Sequence, residues 1–242
     1  MCGRYASTKS AEDLVAEFDA VSIAVDEPLH PDYNVAPTTE VPVVRRSRSR
    51  GGRVVDALRW GLVPAWSKDL SVGAKMLNAR AESVVSKPAF RSAFARRRCL
   101  VPADGWYEWS ARPDGAGKQA WYLNRADGGL CVFAGLWEVW GSGAEQVATC
   151  SIVTTAAIAP LTSVHHRMPL MLPPERWAAW LGEEILDAPD VPAALLAPPP
   201  DRLLGGIELR PVGAAVGNIR NNRPDLRDRV EPAAPVQLDT LF

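Results

Sequence analysis

The stretch Cys99-Leu100-Val101-Pro102-Ala103-Asp104-Gly105-Trp106-Tyr107-Glu108-Trp109 holds two short runs, Cys99–Pro102 and Gly105–Trp109, with the composition of β-strands. Ala120–Leu123, Leu130–Trp140 and Val147–Thr155 share that composition, and Asp114-Gly115, Asp127-Gly128 and Gly141-Ser142-Gly143 supply turns between them. Towards the N-terminus, strands are expected at Val41–Val44 and Val54–Trp60, on either side of an Arg/Ser/Gly turn at 45–53. Helices enter only at intervals. Ser10 to Phe18 has a capping Ser10, an Asp13 three residues on, and a stripe of Leu14, Val15 and Phe18. Pro88 is expected to start a second helix through Phe90 and Phe94, and Pro174 to Leu181 a third with Trp177, Trp180 and Leu181 on one side. Pro198-Pro199-Pro200 breaks the chain before a last strand at Ile207–Val212, and the polar segment beyond Asn221 reads as a poorly ordered or surface-draped tail. There is no internal repeat and no regular βαβ alternation. The expected class is α+β, a single mixed domain with a curved, barrel-like, antiparallel-rich sheet flanked by short helices.

The 242 residues suit one domain or two small ones, and the apolar and charged fractions are those of a globular protein. No apolar run is long enough to span a bilayer, and the N-terminus has no apolar signal region. Cys2, Cys99, Cys131 and Cys150 are widely spaced, which argues against a disulfide framework and structural zinc and fits a reducing cytoplasm. His30, His165 and His166 are too scattered for a metal site, so we expect no cofactor and no metal. The formal charge is close to neutral, yet arginines cluster at Arg45–Arg50, at Arg96–Arg98 and between Arg220 and Arg229. Such clusters are more often solvated faces than phosphate tracks. Of the nine tryptophans most are expected in the core, although indole is also a platform for unpaired bases.

The chain opens Met1-Cys2-Gly3-Arg4-Tyr5. Methionine is normally trimmed before a small residue, so the mature chain would present an α-amine and a thiol on neighbouring carbons. Their reference pKa values, about 7.7–8.0 and about 8.5, leave reactive fractions of both near neutrality. Such a pair can transfer acyl groups, or condense with an aldehyde to an imine that the thiol closes into a thiazolidine. The plainer reading is a small residue that merely follows the initiator.

Three triplets, Cys2-Gly3-Arg4, Asn78-Ala79-Arg80 and His165-His166-Arg167, each set a chemically capable residue two positions before an arginine. In extended backbone such residues share a face, so each triplet could offer a polarising group beside a guanidinium suited to phosphate. Alternation also sets Glu108 on the face of Trp106, where apolar surroundings would raise its pKa; the alternative is an edge-strand Glu in water. Of the two adjacent histidines, the same argument favours His165 over His166.

Met1-Cys2-Gly3-Arg4-Tyr5, Tyr33-Asn34-Val35-Ala36-Pro37, Trp60-Gly61-Leu62-Val63-Pro64, Asn78-Ala79-Arg80-Ala81-Glu82, Gly105-Trp106-Tyr107-Glu108-Trp109 and His165-His166-Arg167-Met168-Pro169 follow one another in an order that resembles the SOS-response-associated peptidase (SRAP) family. The likeness runs from Cys2 to about Asn222, which implies a domain over residues 1–222 and a polar tail over 223–242. It implies a protein that senses abasic sites in single-stranded DNA and links covalently to them through Cys2 once Met1 is removed, shielding the lesion during the DNA damage response. Lyase activity and peptidase-like or autoproteolytic hydrolysis are further implied activities. Asn78, Glu108 and His165 match the remaining active-site positions. Arg4, Arg80 and Arg167 match phosphate contacts, and Asn34, Pro37, Trp60 and Thr154 join them in the expected DNA-binding set. Position 166 is often acidic in that family and is His here, a second titrating group beside the site. Residues 211–224 resemble the family's closing motif only loosely. The expected partner is single-stranded DNA containing abasic sites, with replication or repair machinery as further contacts, no membrane, and a monomer in the cytoplasm.

Two other readings remain open at this level. N-terminal-nucleophile amidohydrolases of the glutaminase kind also begin Met-Cys-Gly, and a noncovalent single-strand binder would use tryptophans on bases and arginines on phosphates.

Overall fold

The computed structural model describes residues 2–25, 27–115, 117–182, 191–198 and 206–232. In chain order the strands are β1 (Tyr5–Ser7), β2 (Ser22–Ile23), β3 (Asp32–Val35), β4 (Glu40–Ser47), β5 (Gly52–Trp60), β6 (Asn78–Arg80), β7 (Arg98–Ala103), β8 (Gly105–Ala111), β9 (Lys118–Arg125), β10 (Cys131–Trp140), β11 (Val147–Ala156), β12 (Arg167–Pro169) and β13 (Ile207–Val212). The helices are α1 (Ala11–Glu17), α2 (Arg91–Arg96), α3 (Pro174–Leu181) and α4 (Val191–Leu196).

β4 and β5 form a hairpin whose register runs from Glu40 opposite Arg59 to Ser47 opposite Gly52. Gly51, at φ +73°, takes the left-handed turn conformation that a side chain disfavours. β7 pairs antiparallel with β4 and with β10, and β10 pairs antiparallel with β11. β11 then lies parallel to β5, with Cys150 opposite Trp60, and closes a five-strand barrel. The alternation of these strands explains the closure. Val41, Val43, Leu58, Trp60, Cys99, Val101, Phe133, Cys150 and Ile152 pack together on one face with Cys2, Tyr5 and Trp106. Val44, Val55, Leu100, Ala134, Leu136 and Val153 face the other way, under α1, α2 and α3. Burying each large aliphatic side chain contributes about 1.5–3 kcal/mol, so both faces hold the ring shut. A second sheet, in the order β13-β9-β8-β1-β3, packs Tyr5, Trp106 and Leu123 against the barrel's inner cluster.

α1 carries the expected capping box, with Ser10 Oγ accepting from Asp13 N–H and Asp13 accepting from Ser10 N–H. The second helix differs from expectation. It begins at Arg91, three residues beyond Pro88, because Phe90 and Arg91 N–H groups both turn back onto the Lys87 carbonyl first. The expected turn at 45–53 shrinks to 48–51, since the hairpin ladder continues through Arg46 opposite Arg53. The chain after Asn221 is packed rather than loose as far as it is described. Leu226 is buried with Tyr107 and Val212, Arg227 lies 4.7 Å over the Tyr33 ring, and Val230 N–H donates to the Pro211 carbonyl. Pro199 and Pro200 of the proline break, and residues 233–242 of the tail, lie outside the described residues.

Candidate active site

The short strands bring the site together. β1 pairs with β8, Tyr5 opposite Trp106, and Tyr107 N–H donates to the Arg4 carbonyl. The N-terminal segment therefore runs alongside the strand that carries Glu108. β8 lies between β1 and β9, with Glu108 opposite Trp121, so the edge-strand alternative for Glu108 does not hold. Its side chain is only 3% exposed, and burial pushes its pKa up to about 7. Cys2 is fully buried. Burial, followed by the nearby Glu108 charge, pushes its thiol well above the ordinary range, and the Arg4 backbone N–H opposes this.

Asn78 reaches Cys2 from the other sheet. β6 lies parallel to β11, with Asn78 opposite Ile152 and Arg80 opposite Thr154. The loop before β6 is fastened by the Trp60-Gly61-Leu62 segment: Trp60 Nε1 donates to the Leu77 carbonyl (3.0 Å) and Leu62 N–H to the Met76 carbonyl (3.2 Å). Gly61, at φ +124°, lies against Gly73, and a Cβ there would stand 2.6 Å from the Gly73 carbonyl oxygen. So fixed, Asn78 Nδ2 donates to the Cys2 carbonyl at 2.8 Å, while its buried Oδ1 accepts no hydrogen bond among the described residues.

His165 lies outside β12, so strand alternation does not relate it to Arg167. It precedes β12 with a bend at His166, and the two imidazoles stack at 4.4 Å instead of pointing apart. His165 Nδ1 accepts from the Arg167 backbone N–H at 2.9 Å. An N–H can only donate, so this contact is made by the ring form that carries its proton on Nε2 alone. The Arg167 carbonyl, 3.1 Å from the same Nδ1, would accept from the doubly protonated ring. Burial lowers the His165 pKa and favours the neutral form. Of the three triplets only Asn78–Arg80 forms a strand, because Cys2-Gly3-Arg4 precedes β1.

Arg80 is exposed, whereas Arg4 and Arg167 are held by the protein. Arg167 forms a two-pronged pair with Glu82, Nη1 to Oε1 at 2.6 Å and Nη2 to Oε2 at 2.9 Å, and also donates to the Thr154 carbonyl and hydroxyl. That pair lowers the Glu82 pKa. Glu82 had no role in the sequence reading, although it ends the Asn78-Ala79-Arg80-Ala81-Glu82 segment. Arg4 donates to Asn34 Oδ1 (2.8 Å) and to the Val216 carbonyl (2.9 Å). Pro37 is half-buried and Thr154 fully buried.

Two residues of the expected DNA-binding set make contacts inside the protein. Trp60 lies entirely in the barrel core, its edge against Tyr5, and its indole holds the Leu77 carbonyl. Asn34 is buried and gives its amide to the carbonyls of Val216, Asn218 and Asn221, tying down the closing segment. The large indole left in water is Trp66, 67% exposed; composition cannot distinguish it from buried tryptophans. A cleft of about 590 Å³ lies elsewhere, between Lys9, His30, Asp32, Glu40 and Asp56, and includes none of the candidate catalytic residues. Among the described residues, no helix is long and apolar enough to cross a membrane.

Comparison with known proteins identifies the family. The chain is 35% identical over 229 residues to the abasic site processing protein YoqW of Bacillus subtilis, covering 93% of this chain and 98% of that one. It is 32% identical over 232 residues to the abasic site processing protein YedK of Escherichia coli, with coverage of 93% and 98%. A crystal structure of a protein from Bacteroides thetaiotaomicron superposes with a TM-score of 0.81 at 26% identity, covering 95% of this chain and all of that one. The family model described as SOS response associated peptidase (SRAP) matches residues 1–219, and with the barrel and the Cys2–Asn78 contact in view the chain belongs to that family.

Proposed function

We propose that this protein processes abasic sites in DNA by capturing them on Cys2 as a thiazolidine, with single-stranded DNA as substrate. The carrying observation is the hydrogen bond from Asn78 Nδ2 to the Cys2 carbonyl, which fixes the N-terminal residue beside a carboxyl whose pKa is about 7. The names of the relatives supply the substrate class.

The abasic sugar opens when His165, in its doubly protonated form, gives its Nε2 proton to the ring oxygen while the Glu108 carboxylate takes the C1′ hydroxyl proton, which frees the aldehyde and leaves Glu108 protonated. The neutral amine of Cys2, exposed by loss of Met1, adds to C1′ and forms a carbinolamine. Asn78 Oδ1 is a buried acceptor suited to the amine or the carbinolamine hydroxyl. Protonated Glu108 assists departure of that hydroxyl as water, leaving an imine. The thiol then adds across C=N: sulfur bonds to C1′ and its proton passes to nitrogen. A thiol pushed up by burial favours this amine-first order and disfavours the thiolate attack that an amidohydrolase needs. An imine that persists long enough can eliminate at the β-carbon, which would account for a lyase activity.

The test is incubation with an abasic single-stranded oligonucleotide followed by denaturing electrophoresis. Wild type is expected to give a heat-stable shifted band, Cys2→Ala none, and Cys2→Ser a band only after borohydride reduction of the imine. A Cys2→Ala protein that still forms the stable band would refute the proposal.

A further inference from the structure

Among the described residues, two besides glycine hold a positive φ, Asp19 at +48° and Thr38 at +69°. Asp19 follows the end of α1, where a left-handed residue is common and aspartate tolerates it. Thr38 is different, because a β-branched side chain in that region is strained. Its conformation comes from the turn it occupies. Pro37 and Thr38 are the middle pair of Ala36–Thr39, in which Thr39 N–H donates to the Ala36 carbonyl at 3.4 Å. Proline followed by a left-handed residue is the order of a type II turn, which normally takes glycine or asparagine where Thr38 stands.

The surrounding structure holds the strain in place. Arg59 Nη1 donates to the Thr38 carbonyl at 2.7 Å, Thr38 N–H donates to the Trp60 carbonyl at 2.9 Å, and Trp60 N–H donates to the Thr39 carbonyl at 2.8 Å. Backbone strain that the structure maintains points towards function. A turn alone would be served by glycine without strain; threonine adds a hydroxyl on a stiff side chain. The neighbouring Thr39 gives its hydroxyl to the Ala36 carbonyl at 2.8 Å. The half-buried Thr38 hydroxyl makes no hydrogen bond among the described residues.

Two direct contacts place this turn at the candidate active site. Trp60, whose carbonyl receives Thr38 N–H, holds with its indole the Leu77 carbonyl next to Asn78. β3 also pairs antiparallel with β1, Val35 opposite Tyr5. The chain leaving Val35 for Thr38 therefore heads in the direction from which Cys2-Gly3-Arg4 arrives. We propose that Thr38 is a further DNA-contact residue, its hydroxyl donating to a phosphate oxygen of the single strand beside the abasic nucleotide. Hydroxyl-to-phosphate bonds are a common means of fixing a strand's position. The proposal rests on the function argued above.

Three substitutions separate the hydroxyl from the shape of the turn. Thr38→Val keeps the branched side chain and removes the hydroxyl, Thr38→Gly removes the hydroxyl and the strain, and Thr38→Ser keeps the hydroxyl. Binding of a single-stranded oligonucleotide carrying a tetrahydrofuran abasic analogue, which has no aldehyde to react, is followed by fluorescence anisotropy at two salt concentrations. The Val and Gly variants should each bind about 10-fold more weakly than wild type, the scale of one hydrogen bond to a charged group, and the Ser variant within about 2-fold. All four proteins should share one salt slope, because a neutral hydroxyl neutralises no phosphate. In thermal melts Thr38→Gly should unfold at or above the wild-type temperature, which separates its weaker binding from a folding defect. Wild-type affinity in Thr38→Val would overturn the proposal, since the hydroxyl would then touch nothing. Equal losses in all three variants would also overturn it, by making the shape of the turn the cause. Covalent adduct formation on true abasic DNA is scored separately on denaturing gels. Hydroxyl-dependent binding without a covalent band would keep the Thr38 contact and refute the chemistry at Cys2.

Discussion

Around Cys2 the polar groups are dry, whereas the arginines that rim the same protein stand in water. Cys2, Glu108 and Thr154 are buried, while Arg80, Arg48 and Arg96 are exposed. Arg167 falls between the two, held by Glu82 and Thr154. Burial has changed the chemistry of the site: a carboxyl with a pKa of about 7, a thiol pushed upward and, at the half-buried His165, an imidazole whose pKa is lowered. The rim keeps full charge and full solvation, so its interactions are long-range and screened by salt. The difference teaches where each kind of residue should act. On the proposed function, interior groups should set the rate once DNA is bound, and rim groups should set how often it binds.

The strongest test of this division is His165. Replacing it with Ala should slow adduct formation by about 10²–10⁴-fold even at saturating DNA, the usual contribution of a positioned acid or base. His166→Ala should change the saturated rate only a few-fold, because that ring stacks on His165 without replacing its Nδ1 contact. Equal large losses in single-turnover gels would mean that the stacked pair acts as one unit.

Glu108 should leave its mark in pH dependence. The saturated rate of wild type should show an ionisation near pH 7, and Glu108→Gln should lose it. Stability follows with a definite sign. A carboxyl whose pKa is raised on folding contributes stability below its unfolded pKa and loses it as pH rises through the folded value, here from about 4.5 to about 7. Thermal melts at pH 8 should therefore find Glu108→Gln more stable than wild type by about 1–3 kcal/mol, a gap that closes near pH 4. A gap that widens on acidification would contradict the burial argument.

The smallest effect belongs to Glu82, which occupies the guanidinium of Arg167. Glu82→Gln should tighten noncovalent binding of single-stranded DNA a few-fold in an anisotropy titration and leave the saturated rate unchanged. Weaker binding would show that the pair orients Arg167 rather than competing with phosphate.

Legibility in the sequence follows from element length. Val54 to Trp60 and Val147 to Thr155 are long enough for composition to identify them as strands, and both are barrel staves. Tyr5–Ser7, Asn78–Arg80 and Arg167–Pro169 are three residues each, too short to show any period, and they position the candidate site. Their chemistry was visible only through residue types and the family resemblance. The burial of Glu108 could be anticipated from its aromatic neighbours, because β8 proved to be an inner strand. The burial of Trp60 could not, since nothing in Trp60-Gly61-Leu62 tells an indole in the barrel from one in water such as Trp66. The Glu82–Arg167 pair spans 85 residues and exists only because β6 and β12 both lie beside β11.

The central claim is that the N-terminal amine and thiol of Cys2 form the link. Peptide mass spectrometry of the nuclease-trimmed adduct tests it most directly. The account predicts a modified peptide beginning at Cys2, without Met1, whose mass equals peptide plus the aldehyde form of the abasic sugar fragment minus one water. Fragmentation should place both new bonds on Cys2. A modified lysine, a link at Cys99, Cys131 or Cys150, or an equally reactive chain that retains Met1 would contradict it.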